Sequence, residues 1–221
     1  MKKYKLFLFA IFIYSSNTLA VSYDNQMWLN LTLQGPLSSD SKWGAYLELQ
    51  PRYSDKQQKV YETLLRPAVY YKTDDWGTFH LGYLSRTNSE NKEIEKRYWT
   101  QWSKLTSYDS FKISSRARYE IRDLSLSDKS ERFRLMGRLM KDDFSIYDFK
   151  PLVAIELFFN LNDVSPSIKS GMKQSRNSIG LSRKFENKVT TEFLITKNYI
   201  DSATTEDQDN NVLQLILIKE F

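Results

Sequence analysis

The stretch Phe111-Lys112-Ile113-Ser114-Ser115-Arg116-Ala117-Arg118-Tyr119-Glu120-Ile121-Arg122 decides how this chain reads. Every second residue from Lys112 is polar or charged, and the residues between are mostly apolar. After a turn-like Asp123–Lys129 the pattern returns, with Arg132, Arg134, Met136 and Arg138 set against Phe133, Leu135, Gly137 and Leu139. Strict alternation over this length marks β-strands with two chemically different faces. A solvent-facing polar face is usually built from Lys, Thr and Ser. Arginine interspersed with Glu points instead to a polar interior of ion pairs, with the apolar residues turned outward. That is the arrangement of a transmembrane β-barrel.

Working outward, the rest of the chain obeys the same phase. Strands are expected near 27–33, 43–53, 60–72, 76–86, 93–104, 110–122, 130–141, 149–160, 174–185, 188–199 and 211–221. All fifteen Asp residues fall between these spans, where their side chains favour turns. Thr73-Asp74-Asp75 and Glu186-Asn187 read as tight hairpins; Ser85–Lys92, Leu161–Lys173 and Asp201–Asn210 are the longest expected connections. The phase puts eleven of the twelve arginines on the polar face: Arg52, Arg66, Arg86, Arg97, Arg116, Arg118, Arg122, Arg132, Arg134, Arg138 and Arg176. Arg183 breaks it. Six glutamates share that face (Glu48, Glu62, Glu95, Glu120, Glu156 and Glu192), five fewer than the arginines.

Evenly spaced strands joined by hairpins predict an all-β, antiparallel up-and-down transmembrane barrel. About twelve strands are expected, with ten as the alternative, because bacterial single-chain barrels have even strand numbers. Only eleven segments are readable, so a twelfth is sought near 21–26 or within 141–150; otherwise 27–33 lies outside a ten-stranded barrel. Lys96, Lys104, Arg183, Lys197 and Lys219 fall on the apolar face, close to strand ends, where charge at a bilayer interface costs only about 0–1 kcal/mol. Trp43, Tyr61, Tyr71, Trp76, Trp102, Phe185 and Tyr199 also gather near strand ends, as aromatic girdles would. A soluble, aromatic-cored barrel is the rival fold.

The remaining features bound the function. Residues 1–20 read as a cleaved signal peptide: Lys2, Lys3 and Lys5, then the apolar Leu6–Tyr14, then Thr18 and Ala20 at the cleavage positions. Nine apolar residues are too few for a spanning helix, which needs about twenty. The mature domain is then 21–221, a single barrel. Losing three lysines and no acids takes the net charge from +5 to +2. Neither that charge nor export suits nucleic-acid binding. A mean hydropathy of −0.55 fits a barrel in which only alternate residues meet lipid. With no cysteine, one histidine and scattered Glu, no metal or cofactor is expected. His80 would sit inside the barrel near Arg66 or Arg97. The local Ser and His motifs of outer-membrane lipid hydrolases are absent, so no catalytic residue is expected.

The order of short motifs carries a resemblance. Tyr61–Tyr71 with its Leu-Arg-Pro centre, Gly82-Tyr83, Glu95–Gln101, Arg116-x-Arg118-x-Glu120-x-Arg122, Arg132-x-Arg134, Glu156-Leu157-Phe158-Phe159-Asn160 and Arg176…Gly180 follow one another as in the bacterial family catalogued as domain of unknown function 2490. The resemblance implies an outer-membrane barrel and no particular activity. The terminal Val212–Phe221, ending in Phe, also resembles the signal read by the barrel-assembly machinery, with Lys219 as a departure. Expected partners are outer-membrane lipids, that machinery, and small anionic solutes if the lumen is open. Two roles are expected of the interior, a structural ion-pair plug or a narrow anion-favouring pore. A lipid-modifying enzyme and a soluble periplasmic binding barrel are the alternatives.

Overall fold

A computed structural model describes residues 21–90, 92–124 and 129–221. The proposed signal peptide lies outside the described residues. Twelve strands follow one another: β1 (Val21–Ser22), β2 (Asn25–Pro36), β3 (Trp43–Ser54), β4 (Lys59–Lys72), β5 (Thr78–Asn88), β6 (Glu93–Tyr108), β7 (Phe111–Leu124), β8 (Ser130–Lys141), β9 (Lys150–Asn160), β10 (Gly171–Lys184), β11 (Val189–Ile200) and β12 (Asp207–Glu220). From β2 to β12 each strand pairs antiparallel with the next, and β12 then pairs with β2, so the sheet closes on itself. Closure removes free sheet edges.

The seam departs from an even-stranded barrel. Eleven strands close the ring, and hairpin connections through an odd number leave the first and last strands parallel. Asn211 to Glu220 of β12 accordingly run beside Asn25 to Gln34 of β2 in parallel register. The missing segment near 21–26 does exist, as β1. It pairs with β12 just ahead of β2, Val21 against Asp207 and Ser22 against Gln208, and so adds no strand to the ring. Asp24 fastens this junction: its carboxylate accepts hydrogen bonds from the Ser54 hydroxyl at 2.7 Å and the Lys56 amide at 3.0 Å. Phe221 closes the other end of the seam, its amide donating to the Gln34 carbonyl at 3.1 Å. Gly35 is required there, since a Cβ at that position would lie 2.7 Å from the Phe221 carbonyl oxygen.

One rim of the barrel carries the start of β2, the turns 55–58, 161–170 and 201–206, and Ser89 and Glu90. The other carries the end of β12 and the turns 37–42, 73–77, 109–110, 142–149 and 185–188. We refer to these as the N-terminal and C-terminal rims. β5 runs on to Asn88, past the Ser85 at which a long connection was expected to begin.

The outer wall is apolar. Leu31, Leu33, Leu47, Leu49, Leu65, Val69, Leu81, Leu135, Val153, Ile179, Ile195 and Leu213 are all exposed on it. Trp43 and Trp76 stand out near the C-terminal rim, where Trp43 leans on Tyr71 and Trp102 donates to the Trp76 carbonyl. Four of the five outward cations find partners: Lys96 with Glu93, Arg183 with Asp148, Lys197 with Asp209, and Lys219 with the Asn187 carbonyl. Tyr61 does not join the outer girdle. A β-bulge pairs Arg52 with Glu62 and then Tyr53 with Val60. Tyr61 is the extra residue, and its hydroxyl turns in to donate to Gln26 at 3.0 Å. Bulges re-aim a side chain in this way.

The inner wall mixes charge with a few large apolar groups. Trp28, Leu64, Leu84, Trp99, Leu152, Phe158, Leu194 and Val212 are buried there. Trp99 packs on Leu64, Leu84 and Ala68, and lies flat across Gly82, where a Cβ would come within 2.3 Å of its ring.

Candidate functional site: an arginine-rich interior

The polar phase of the sequence becomes one connected network of ion pairs and two separate pairs. Neighbouring strands place alternate inward positions side by side. Arg52 faces Glu62 across β3 and β4, Arg86 faces Glu95 across β5 and β6, and Glu120 faces Arg132 across β7 and β8. From there the contacts run on. Glu62 binds Arg52 at 2.6 Å and also Arg86; Arg86 reaches Glu95 at 3.2 Å; Glu95 takes Arg97 at 2.7 Å and Arg122 at 2.5 Å.

Glu120 is the hub. It is 0% exposed and meets Arg132 at 2.5 Å, Arg134 at 2.7 Å, Arg118 at 3.7 Å and Arg97 at 3.9 Å. Arg134 carries the chain on to Glu156 at 2.6 Å, which Arg116 approaches at 2.6 Å and Arg176 at 3.6 Å. Two pairs stand apart, Arg66 with Glu48 and Arg138 with Glu192 at 2.6 Å. All sixteen expected interior ion-pair residues therefore lie within the barrel: thirteen form one network of nine arginines and four glutamates, Arg138 and Glu192 pair with each other, and Arg66 pairs with Glu48.

Aromatic rings hold the arginines that carboxylates do not saturate. Trp28 lies under the guanidinium of Arg52 at 3.9 Å and that of Arg176 at 4.7 Å. Phe158 receives Arg134 at 4.5 Å and Arg176 at 4.7 Å, and Trp99 receives Arg118 at 4.4 Å. Such contacts are worth about 2 kcal/mol when desolvated. These rings share the arginine phase: Trp99 sits between Arg97 and Gln101, and Phe158 between Glu156 and Asn160. Their phase was the available signal, obscured because an aromatic residue reads by default as lipid-facing.

Two cavities flank the network. One, about 350 Å³, opens toward the N-terminal rim and is lined by Trp28, Arg52, Arg66, Arg132, Arg176 and their neighbours. The other, about 250 Å³, lies toward the C-terminal rim and is lined by Arg116, Arg138, Glu48 and Glu192 together with Leu152, Leu194 and Ile216. Gln50, Arg134 and Arg176 line both, which places them in the partition between the two.

His80 is inside, but not beside Arg66 or Arg97. The register sets it between Tyr70 and Gln101, and its Nδ1 lies 3.5 Å from the Gln101 amide nitrogen. Tyr46, Tyr70 and Trp99 surround its ring. Among the described residues no cluster of His, Cys, Asp and Glu could hold a metal ion.

The fold and interior define a class: a closed β-barrel, apolar outside, with a buried Arg/Glu salt-bridge network inside. Within that class, residues 25–210 match the model of a family described as "Protein of unknown function (DUF2490)", and the chain belongs to that family. It is also 30% identical, over 76% of its own length and 75% of the relative's, to an uncharacterised protein of Methylorubrum extorquens. No solved structure matches it.

Proposed function

We propose that this protein is an outer-membrane β-barrel whose lumen is shut by its own ion-pair network, and so a plugged barrel before it is a pore. The observation carrying this reading is the continuous run of contacts from Glu62 to Glu156, which spans the interior between the two cavities. Bidentate guanidinium–carboxylate contacts are rigid as well as strong. Arg132 donates through both Nε and a terminal nitrogen to Glu120, and Arg134 bridges Glu120 and Glu156. A solute would have to part these contacts to pass. The membrane assignment is supported by the apolar outer wall, by Trp and Tyr near its rims, and by strands of eleven to sixteen residues in β2–β12, long enough to cross when tilted.

His80 has a structural part in this reading, as a hydrogen-bonded group among aromatic rings. Reconstitution in planar bilayers tests the proposal directly: the purified protein should insert without steady conductance. Steady current with an anion-biased reversal potential would replace the plug by an anion pore. Recovery of the protein from the soluble periplasmic fraction, with no heat-dependent shift in gel mobility, would remove the membrane assignment.

A further inference from the structure

We propose that the cavity at the N-terminal rim binds a phosphate-type oxyanion, carried on a small solute or on a lipid headgroup. The inference goes beyond the sealing role and holds whether or not the partition conducts. A charge-balanced plug would leave nothing to bind, and this interior is far from balanced. Eight arginines and Lys173 line the cavity, against Glu62 and Asp201. Glu95, Glu120 and Glu156 belong to the same network but do not line that cavity.

Arginine cannot lose its proton in a protein, so this surplus cannot be relieved by neutralisation. Five glutamates (Glu48, Glu62, Glu95, Glu120 and Glu156) serve these eight arginines; burying charge in such excess is costly, and an anion entering from the rim would offset it. Donors are left over for it. Arg66, buried within the wall, makes its ion pair to Glu48 through one terminal nitrogen, while its Nε has no hydrogen-bond partner. The Nε of Arg52 is likewise buried and unpartnered. Arg176 is held by Asn198 at 3.1 Å and only loosely by Glu156. Guanidinium groups match tetrahedral oxyanions in charge and donor geometry. A cavity of 350 Å³ has the size of a small-ligand pocket and leaves room beyond the anion for a polar carrier.

The test uses the full chain in detergent, titrated calorimetrically with inorganic phosphate and, separately, with chloride at matched ionic strength. Saturable phosphate binding without a chloride counterpart is expected. Arg176→Gln should weaken it about tenfold, the loss of one charged hydrogen bond. Arg116→Gln removes the same charge from the same Glu156 but lines only the other cavity, and should leave phosphate binding unchanged. Unboiled gel mobility verifies folding of each variant. If Arg176→Gln does not fold, Arg122→Gln serves instead, because it lines only this cavity and its partner Glu95 keeps Arg97 and Arg86. A parallel titration with dihexanoyl phosphatidic acid below its micellar concentration separates the sources. Binding of inorganic phosphate supports a free solute, and binding of the acylated form alone supports a lipid headgroup. Binding of neither, equal binding of chloride, or equal losses in the two arginine variants overturns the site.

Discussion

Glu120→Gln should be among the most damaging single changes this protein can suffer. The substitution keeps the size and shape of the side chain and removes only its charge. Glu120 is fully buried and accepts from Arg132 twice, at 2.9 and 2.5 Å, and from Arg134 at 2.7 Å, with Arg118 and Arg97 within 4 Å. Removing one partner of a buried ion pair typically costs about 3–5 kcal/mol, because the other charge stays buried without its counter-ion. Here the stranded charges are several arginines that already outnumber carboxylates. The folded-to-unfolded ratio should drop between about a hundredfold and a few thousandfold. Urea unfolding in lipid vesicles, followed by tryptophan fluorescence, measures this. The exposed rim pair Lys184–Glu220 is the internal standard: Glu220→Gln should cost less than about 1 kcal/mol. Replacing Glu120 and Arg132 together by Leu and Met should not restore stability, since Arg134, Arg118 and Arg97 would remain without the hub. If Glu120→Gln unfolds within about 1 kcal/mol of the native chain, the interior is screened by water and the ion-pair network does not seal the lumen.

Other expectations follow from other parts of the wall. Leu135→Arg, on the outer face between the rims, should lose about 2–4 kcal/mol of folding stability in vesicles, as expected for a bilayer midplane; an unchanged unfolding midpoint would place that face in water. Gly82→Val forces a Cβ into the Trp99 ring and should lower the melting temperature and shift the tryptophan emission, and an unshifted spectrum would count against the Trp99 packing. His80→Asn should fold like the native chain with no change in lipid composition of the host membrane; loss of a lipid-hydrolysing activity in a folded variant would make it an enzyme. At the seam, burial pushes Asp24 upward, but hydrogen bonds from the Lys56 amide and the Ser54 and Gln26 side chains outweigh it and hold the carboxyl below its usual range. A depressed pKa stabilises the fold above the unfolded-state value, and that contribution is lost as pH falls through the folded-state value. The difference in stability between native chain and Asp24→Asn should therefore be present at neutral pH and vanish in the acid range, and a pH-independent difference would refute the account.

The alternation around Arg116–Arg138 made the barrel legible, because a period of two fixes which side chains share a face without any knowledge of neighbours. Strand positions followed from the same signal and from the Asp-rich turns. What the sequence could not supply was register. His80 was expected near Arg66 or Arg97 because all lie on the inner face; only the pairing of β4, β5 and β6 shows that Tyr70 and Gln101 are its neighbours. The bulge that turns Tyr61 inward is a one-residue offset between two strands, invisible in either strand alone. Trp28, Trp99 and Phe158 were hidden differently: their phase was correct for the interior, but aromatic character is shared by lipid-facing residues and by platforms for arginine. Twelve strands are present, as expected, but only eleven of them close the ring, and this too has a physical reason. An even ring is expected from the strand numbers of bacterial single-chain barrels, yet a parallel seam of ten residue pairs joins β2 to β12.

That parallel seam has a bearing on how the molecule would sit between two compartments. With an odd number of crossings, the polypeptide enters the wall at one rim and leaves it at the other, so a peptide joined ahead of Val21 and one joined after Phe221 would face opposite sides of a bilayer. An even barrel keeps both handles in the compartment from which it was delivered. Here the leading handle would have to be carried across before β2 and β12 could zip together. Accessibility of an N-terminal epitope on intact cells would thus report the moment of ring closure, and this architecture offers a natural point from which to display a sequence on the far side.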